Sequence, residues 1–81
     1  MAYRLVFTEQ FLEDISKLDH SVKVVVKKLY DKIEQNPKHF KPLHGDANVY
    51  RVRILNFRLI YKVRGDEVLM MRFEKRSRAY R

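Results

Sequence analysis

The apolar residues of this 81-residue chain keep two different periods, and the change from one to the other limits the fold more than any other feature. In the first half they recur at helical spacing. Phe11, Leu12, Ile15 and Leu18 form one stripe, and Val22, Val25, Val26, Leu29, Tyr30 and Ile33 form a longer one. From residue 50 they alternate. Tyr50, Val52 and Ile54 share one face of a strand, and Phe57, Leu59, Tyr61 and Val63 share one face of the next. Helices followed by a run of strands place the chain in the α+β class, with two layers that bury their apolar sides against each other.

Local signals divide the chain into elements. Residues 3–7 alternate large and polar positions and read as a first strand, and Thr8 stands where a helix from Glu9 to Lys17 or Leu18 needs its N-cap. Asp19 or Ser21 caps the second helix, which must end by Asn36 because Pro37 disfavours the helical conformation of the residue before it. Residues 37–48 hold both prolines and one of the two glycines, so they read as an irregular connection. Leu55 and Asn56 join the first two alternating segments, and Gly65 and Asp66 turn the chain into a last strand over 67–75. The expected order is β-α-α-β-β-β, a mostly antiparallel sheet with two helices on one face, as a single domain over 1–81. Without cysteine there is no disulfide, no thiolate metal site and no cysteine nucleophile. No apolar run approaches the roughly 20 residues of a spanning helix, and a cytoplasmic location without membrane contact is expected.

The charge is concentrated in one half. Residues 51–81 carry ten basic and three acidic side chains, net +7, and residues 1–50 carry eight and seven, net +1, which sum to the total of +8. Eight of the nine arginines lie in the second half, whereas the first draws on lysine. Arginine presents a planar fork that grips phosphate through two hydrogen bonds, so the segregated set points to a polyanionic partner. Alternation brings Arg51 and Arg53 out on one side of the sheet, roughly 7 Å apart. A tight turn would set Arg58 beside Arg53 on the neighbouring strand. Like charges so placed cost up to about 1 kcal/mol per pair, a cost that an anionic ligand would offset. Lys23, Lys27, Lys28 and Lys32 line the outer side of the second helix and, by charge pattern alone, read as a solvated face. Arg76, Arg78, Tyr80 and Arg81 read equally as a frayed basic tail or as cations with a phenol that can stack on a base. His39, His44 and Asp46 lack the spacing of a metal site, and no glycine-rich phosphate loop or nucleophile elbow occurs.

Several of these residues carry a resemblance. His44-Gly45, then Tyr50-Arg51-Val52-Arg53, then Asn56-Phe57-Arg58-Leu59-Ile60-Tyr61, Lys75-Arg76 and Tyr80 together resemble the RelE branch of the RelE/ParE toxins, whose sheet is also microbial-RNase-like. The ending Arg76-Ser77-Arg78-Ala79-Tyr80 is similar to archaeal RelE proteins. The resemblance implies a toxin of a type II toxin–antitoxin system: a ribosome-dependent mRNA endonuclease that cuts codons in the A site and is held inactive by a RelB-like antitoxin. In such enzymes a ribose 2′-hydroxyl attacks the adjacent phosphate without metal or other cofactor. Carried over by position, Arg51, Arg53, Arg58, Arg76 and Tyr80 are the expected catalytic residues. Lys23, Lys27, Lys28, Arg78 and Arg81 are the expected contacts to ribosomal RNA and mRNA. Some relatives have lysine in the central-strand pair. Arginine holds its proton throughout the working pH range and makes a poor base, so Tyr80 takes that role in the expected mechanism. The alternatives are a ParE-like toxin acting on DNA gyrase and a non-catalytic basic scaffold that binds an antitoxin peptide.

Overall fold

The computed structural model describes residues 3–43, 45 and 47–76. Its elements are β1 (Arg4–Phe7), α1 (Glu9–Ser16), α2 (His20–Gln35), a 3-10 turn (Pro37–His39), β2 (Lys41–Pro42), β3 (Val49–Ile54), β4 (Phe57–Arg64) and β5 (Glu67–Lys75). The strands form one sheet in the order β1-β5-β4-β3-β2. β1 runs parallel to β5, and the other three pairings are antiparallel. The expected α+β architecture is therefore present. The short β2 strand lies inside the connection that reads as irregular, too brief for a period-two pattern to mark it.

Both helices cover one face. Phe11 of α1 and Val26, Leu29 and Ile33 of α2 pack against Val52, Leu59, Tyr61, Val63, Val68, Met70 and Phe73 of the sheet. All these strand residues point the same way, which is the amphipathic pattern expected of strands under a helical layer. Two positions of the expected stripes fall outside this core. Leu12 is 55% exposed and Val25 37% exposed, because each lies at the flank of its stripe, a turn of about 100° from the buried neighbour Phe11 or Val26. The apolar faces that reach the sheet are narrower than the sequence stripes.

Thr8 ties α1 to the sheet. Its hydroxyl accepts from the Phe11 N–H at 3.1 Å as the N-cap. The hydroxyl proton is shared between the carbonyls of Met70 at 2.9 Å and Met71 at 3.1 Å. Those carbonyls belong to a β-bulge. Ile60 pairs with Arg72 and Tyr61 pairs with Met70, which leaves Met71 as the extra residue of β5. An Asp14 carboxylate oxygen on α1 accepts from the Phe73 N–H at 2.9 Å on the other side of the bulge. One helix thus holds both flanks of the irregularity. The bulge reverses the facing of everything after it. Val68 and Met70 point to the helices before it and Phe73 after it, so Arg72 and Glu74 emerge on the opposite face.

Candidate nucleic-acid interface

Because the helices take one side of the sheet, alternation sends the arginines of β3, β4 and β5 to the other. Two rows of paired residues cross the strands there. Lys41, Arg51, Ile60 and Arg72 form the first, and Arg53, Arg58 and Glu74 form the second. Neighbours within a row are about 5 Å apart and the rows are roughly 7 Å apart, so Arg51, Arg53, Arg58 and Arg72 are rooted in a patch about two nucleotides wide. Arg76 joins the same end of the sheet. Its N–H donates to the Asn56 carbonyl at 2.8 Å and its Nη1 donates to the Leu55 carbonyl at 3.4 Å, which places it against the β3–β4 turn.

This turn is tight, as the pairing of Ile54 with Phe57 requires. Leu55, its first residue, has φ +56°, the left-handed region that two-residue hairpin turns use and that glycine or asparagine occupies most readily. The side chain of Leu55 is 59% exposed.

Ile60 gives this cationic surface an apolar floor. It points away from the helices, yet it is only 2% exposed and lies outside the helix-facing core. Arg51 and Arg72 flank it across the strands, and Arg58 and Lys62 sit two residues away on its own strand. Arginine and lysine stems are apolar and can lie over apolar surface while their charged ends reach solvent, so the flanking cations are the groups placed to cover this isoleucine. Val49, 7% exposed on the same face, extends the apolar floor.

At one end of the sheet both arginines meet a carboxylate, and at the other one carboxylate stands among several arginines. At the far end Arg4 pairs with Glu67, and Arg64 reaches the same carboxylate at 3.4 Å. Hydrogen bonds from Arg4 first and Arg64 second hold the Glu67 carboxyl below its ordinary range. At the near end a single carboxylate, Glu74, stands among the described arginines, and it pairs with Arg58 at 2.7 Å. Among the described residues Arg51, Arg53 and Arg72 form no ion pair. An open cleft of about 330 Å³, lined by Phe40, Lys41, Arg51, Val52 and Arg53, runs along the β2–β3 edge beside them.

The sequence-derived site residues are thus partly gathered. Arg51, Arg53 and Arg58 share one face of the sheet, and Arg76 lies against the turn at the same end. Lys23, Lys27 and Lys28 lie on α2 in the other layer, with Lys27 and Lys28 exposed and Lys23 half-buried. Arg78, Tyr80 and Arg81 lie outside the described residues. Arg72, Glu74 and Lys41 were not singled out from sequence. The first two reach this face only through the bulge, and a hint of it was present in the apolar phase, which slips by one residue between Met70 and Phe73. The core tyrosine Tyr61 is turned away from this face. Tyr61 is buried on the helical side, donates to the Pro37 carbonyl, and has its phenol pushed above the ordinary range by burial and then by stacked Tyr50.

A five-stranded sheet with two helices on one side and a cluster of arginines on the other makes this a small α+β protein with the fold of the RelE toxins. The chain belongs to the ParE toxin family of type II toxin–antitoxin systems (parDE), whose sequence model matches residues 5–80. Among solved structures it is similar to the E. coli toxin RelE in the free state, in a form with two arginines changed to alanine. That match has 27% identity over 99% of this chain and 90% of that one, with a TM-score of 0.83. The intact E. coli RelBE toxin–antitoxin complex matches at 26% identity, over 91% of this chain and 96% of that one, with a TM-score of 0.84. The archaeal RelE–RelB complex from Pyrococcus horikoshii OT3 shares the fold at 23% identity, over 96% and 99% of the two chains, with a TM-score of 0.81. Among curated proteins, none matches the chain in sequence.

Proposed function

We propose that this toxin is a metal-independent, ribosome-dependent mRNA endonuclease that cleaves codons in the A site and so stops translation. The observation that carries the reading is the meeting of Arg53, Arg58 and Arg76 around the β3–β4 turn, with Arg51 one row away. Cleavage forms an O2′–P bond and breaks the P–O5′ bond, leaving a 2′,3′-cyclic phosphate and a 5′-hydroxyl. Arg51, Arg53 and Arg58 bind the phosphate and stabilise the charge that grows on its oxygens, the kind of preorganised donor set that lowers such barriers most. Tyr80 receives the proton of the 2′-hydroxyl, and Arg76 favours departure of the 5′-oxygen, which takes up a proton from water to leave the 5′-hydroxyl. Lys23, Lys27 and Lys28 on the opposite layer, with Arg78 and Arg81, contact RNA phosphates of the ribosome and message. A RelB-like antitoxin is the cellular partner, by analogy with the RelB held in the E. coli and P. horikoshii complexes. The site of action is the cytoplasm; none of the described helices is long and apolar enough to cross a membrane.

Primer extension on a message in a cell-free translation reaction tests this reading. Cuts within codons that appear only when ribosomes are present support it, and a pH–rate profile unchanged by Tyr80→Phe removes Tyr80 from its role. The family's ParE name supports a second reading, inhibition of DNA gyrase. Loss of supercoiling activity on addition of the chain, with the message left intact, selects that reading instead.

A further inference from the structure

We propose that Glu74 is a positioning residue for RNA cleavage, holding the Arg58 guanidinium by one nitrogen so that its remaining donors face the scissile phosphate. The proposal rests on the endonuclease reading above. Three observations lead to it. In register, Arg58 has Arg53 on one side and Glu74 on the other, so a like charge pushes its side chain away from β3 while an opposite charge draws it toward β5. The contact itself is close and sheltered: Arg58 Nη2 donates to Glu74 Oε1 at 2.7 Å, with the side chains 26% and 36% exposed. Arg58 Nε is buried and has no acceptor. With Nε shut away from water and from any acceptor, the Nη2 bond to Glu74 is the contact that fixes the guanidinium, and Nη1 is the nitrogen left to meet an anion.

Placing a carboxylate there is otherwise unfavourable for an RNA-binding surface. Among the described residues only two carboxylates are carried by strands, Glu67 and Glu74. Glu67 serves Arg4 and Arg64 at the far end, whereas Glu74 lies in the same row as Arg53 and Arg58, where it repels phosphate. It reaches that position only because the Met71 bulge turns it outward. A group that weakens binding of the substrate but orders the donor that stabilises the transition state has a distinctive kinetic effect. Its removal lowers kcat while KM stays level or falls.

The test is steady-state cleavage of a defined message in ribosome complexes by the full chain, with circular dichroism to verify each variant's fold. Glu74→Ala is expected to lower kcat about tenfold or more without raising KM. Glu74→Gln keeps an oxygen that can accept from Nη2, and it is expected to recover most of kcat. In an Arg58→Ala background, Glu74→Ala is expected to add no further loss in kcat. An unchanged or raised kcat for Glu74→Ala would show a simple electrostatic brake and overturn the proposal, as would its loss persisting in the Arg58→Ala background. Equal inactivity of Glu74→Gln and Glu74→Ala, with a displaced pH–rate profile in both, would make the carboxylate a proton acceptor and also overturn it. Absence of cleavage by the wild-type chain overturns the endonuclease reading and this proposal together, while wild-type cleavage with an indifferent Glu74 overturns this proposal alone.

Discussion

Replacing Asp14 by alanine separates the role of α1 as a clamp on the sheet from its role as a helix. Asp14 lies near the C-terminal end of α1 (Glu9–Ser16), where a carboxylate opposes the helix dipole, and alanine is the better helix former. On those local grounds Asp14→Ala should stabilise the protein by about 0.5–1 kcal/mol. Against this stands the bond from the Phe73 N–H at 2.9 Å, made beside the bulge under a side chain only 4% exposed. An N–H stripped of its charged acceptor in such a place costs roughly 2–3 kcal/mol. The net expectation is destabilisation by about 1–2 kcal/mol, a fall in Tm of about 5–15 °C for a domain of this size. Asp14→Asn, which keeps a carbonyl oxygen, should lose about half as much. Urea denaturation gives the free energies, and amide hydrogen exchange at Phe73 reports the clamp directly, becoming faster in Asp14→Ala. Combination with Thr8→Val, which removes the bonds to Met70 and Met71 carbonyls, should show coupling of at least about 0.5 kcal/mol, since both residues hold one bulge. A neutral or stabilising Asp14→Ala, with Phe73 exchange unaltered, would refute the clamp.

Other perturbations follow from the same structure. Leu55→Gly should raise stability by about 0.5–1 kcal/mol in urea titration, because the left-handed backbone at φ +56° penalises a leucine and its 59% exposed side chain has little packing to lose; a loss of stability would contradict this. Ile60→Ala should cost about 2 kcal/mol or more by the same assay and raise KM for RNA, as the stems above it lose their floor; a surface-like change under about 0.5 kcal/mol would show that the arginines do not cover it. The lowered Glu67 carboxyl contributes stability that is present above its ordinary value of 4.5 and is lost as pH falls through the lower folded-state value. Glu67→Gln should therefore flatten the acid limb of a stability–pH curve, and an acid limb parallel to wild type would assign it elsewhere. The raised Tyr61 phenol acts at the other extreme. Its contribution is complete below the ordinary value of 10.0 and is lost as pH rises, so the alkaline limb should flatten in Tyr61→Phe.

The parts of this molecule that follow from local chemistry were legible in the sequence. The change of apolar period separates helices from strands, Thr8 caps α1 as its position suggests, and the Leu55–Asn56 and Gly65–Asp66 turns set the β3–β4–β5 meander. With the turn placed, the pairing of Arg53 with Arg58 follows directly. What depends on distant partners was not legible. Strand alternation cannot tell which edge β1 joins, and its parallel partner β5 lies some sixty residues away, across both helices and three strands. A two-residue strand such as β2 carries no period at all. The bulge left a trace in the slipped phase of Met70 and Phe73, yet strict alternation would have pointed Arg72 and Glu74 at the helices, so the carboxylate that pairs with Arg58 was not legible. Leu12 shows the opposite error: hydrophobicity placed it in the stripe, but the sheet touches only Phe11's side of α1.

Single-turnover cleavage of message in stalled ribosome complexes, comparing the wild-type chain with Arg58→Ala, probes the arginine face most directly. A guanidinium that stabilises charge on the phosphate should be worth about 10²–10³ in rate, with the circular dichroism spectrum unaltered and 5′-hydroxyl ends at the wild-type cut sites. Equal rates for the two proteins would mean that this surface does not perform the chemistry.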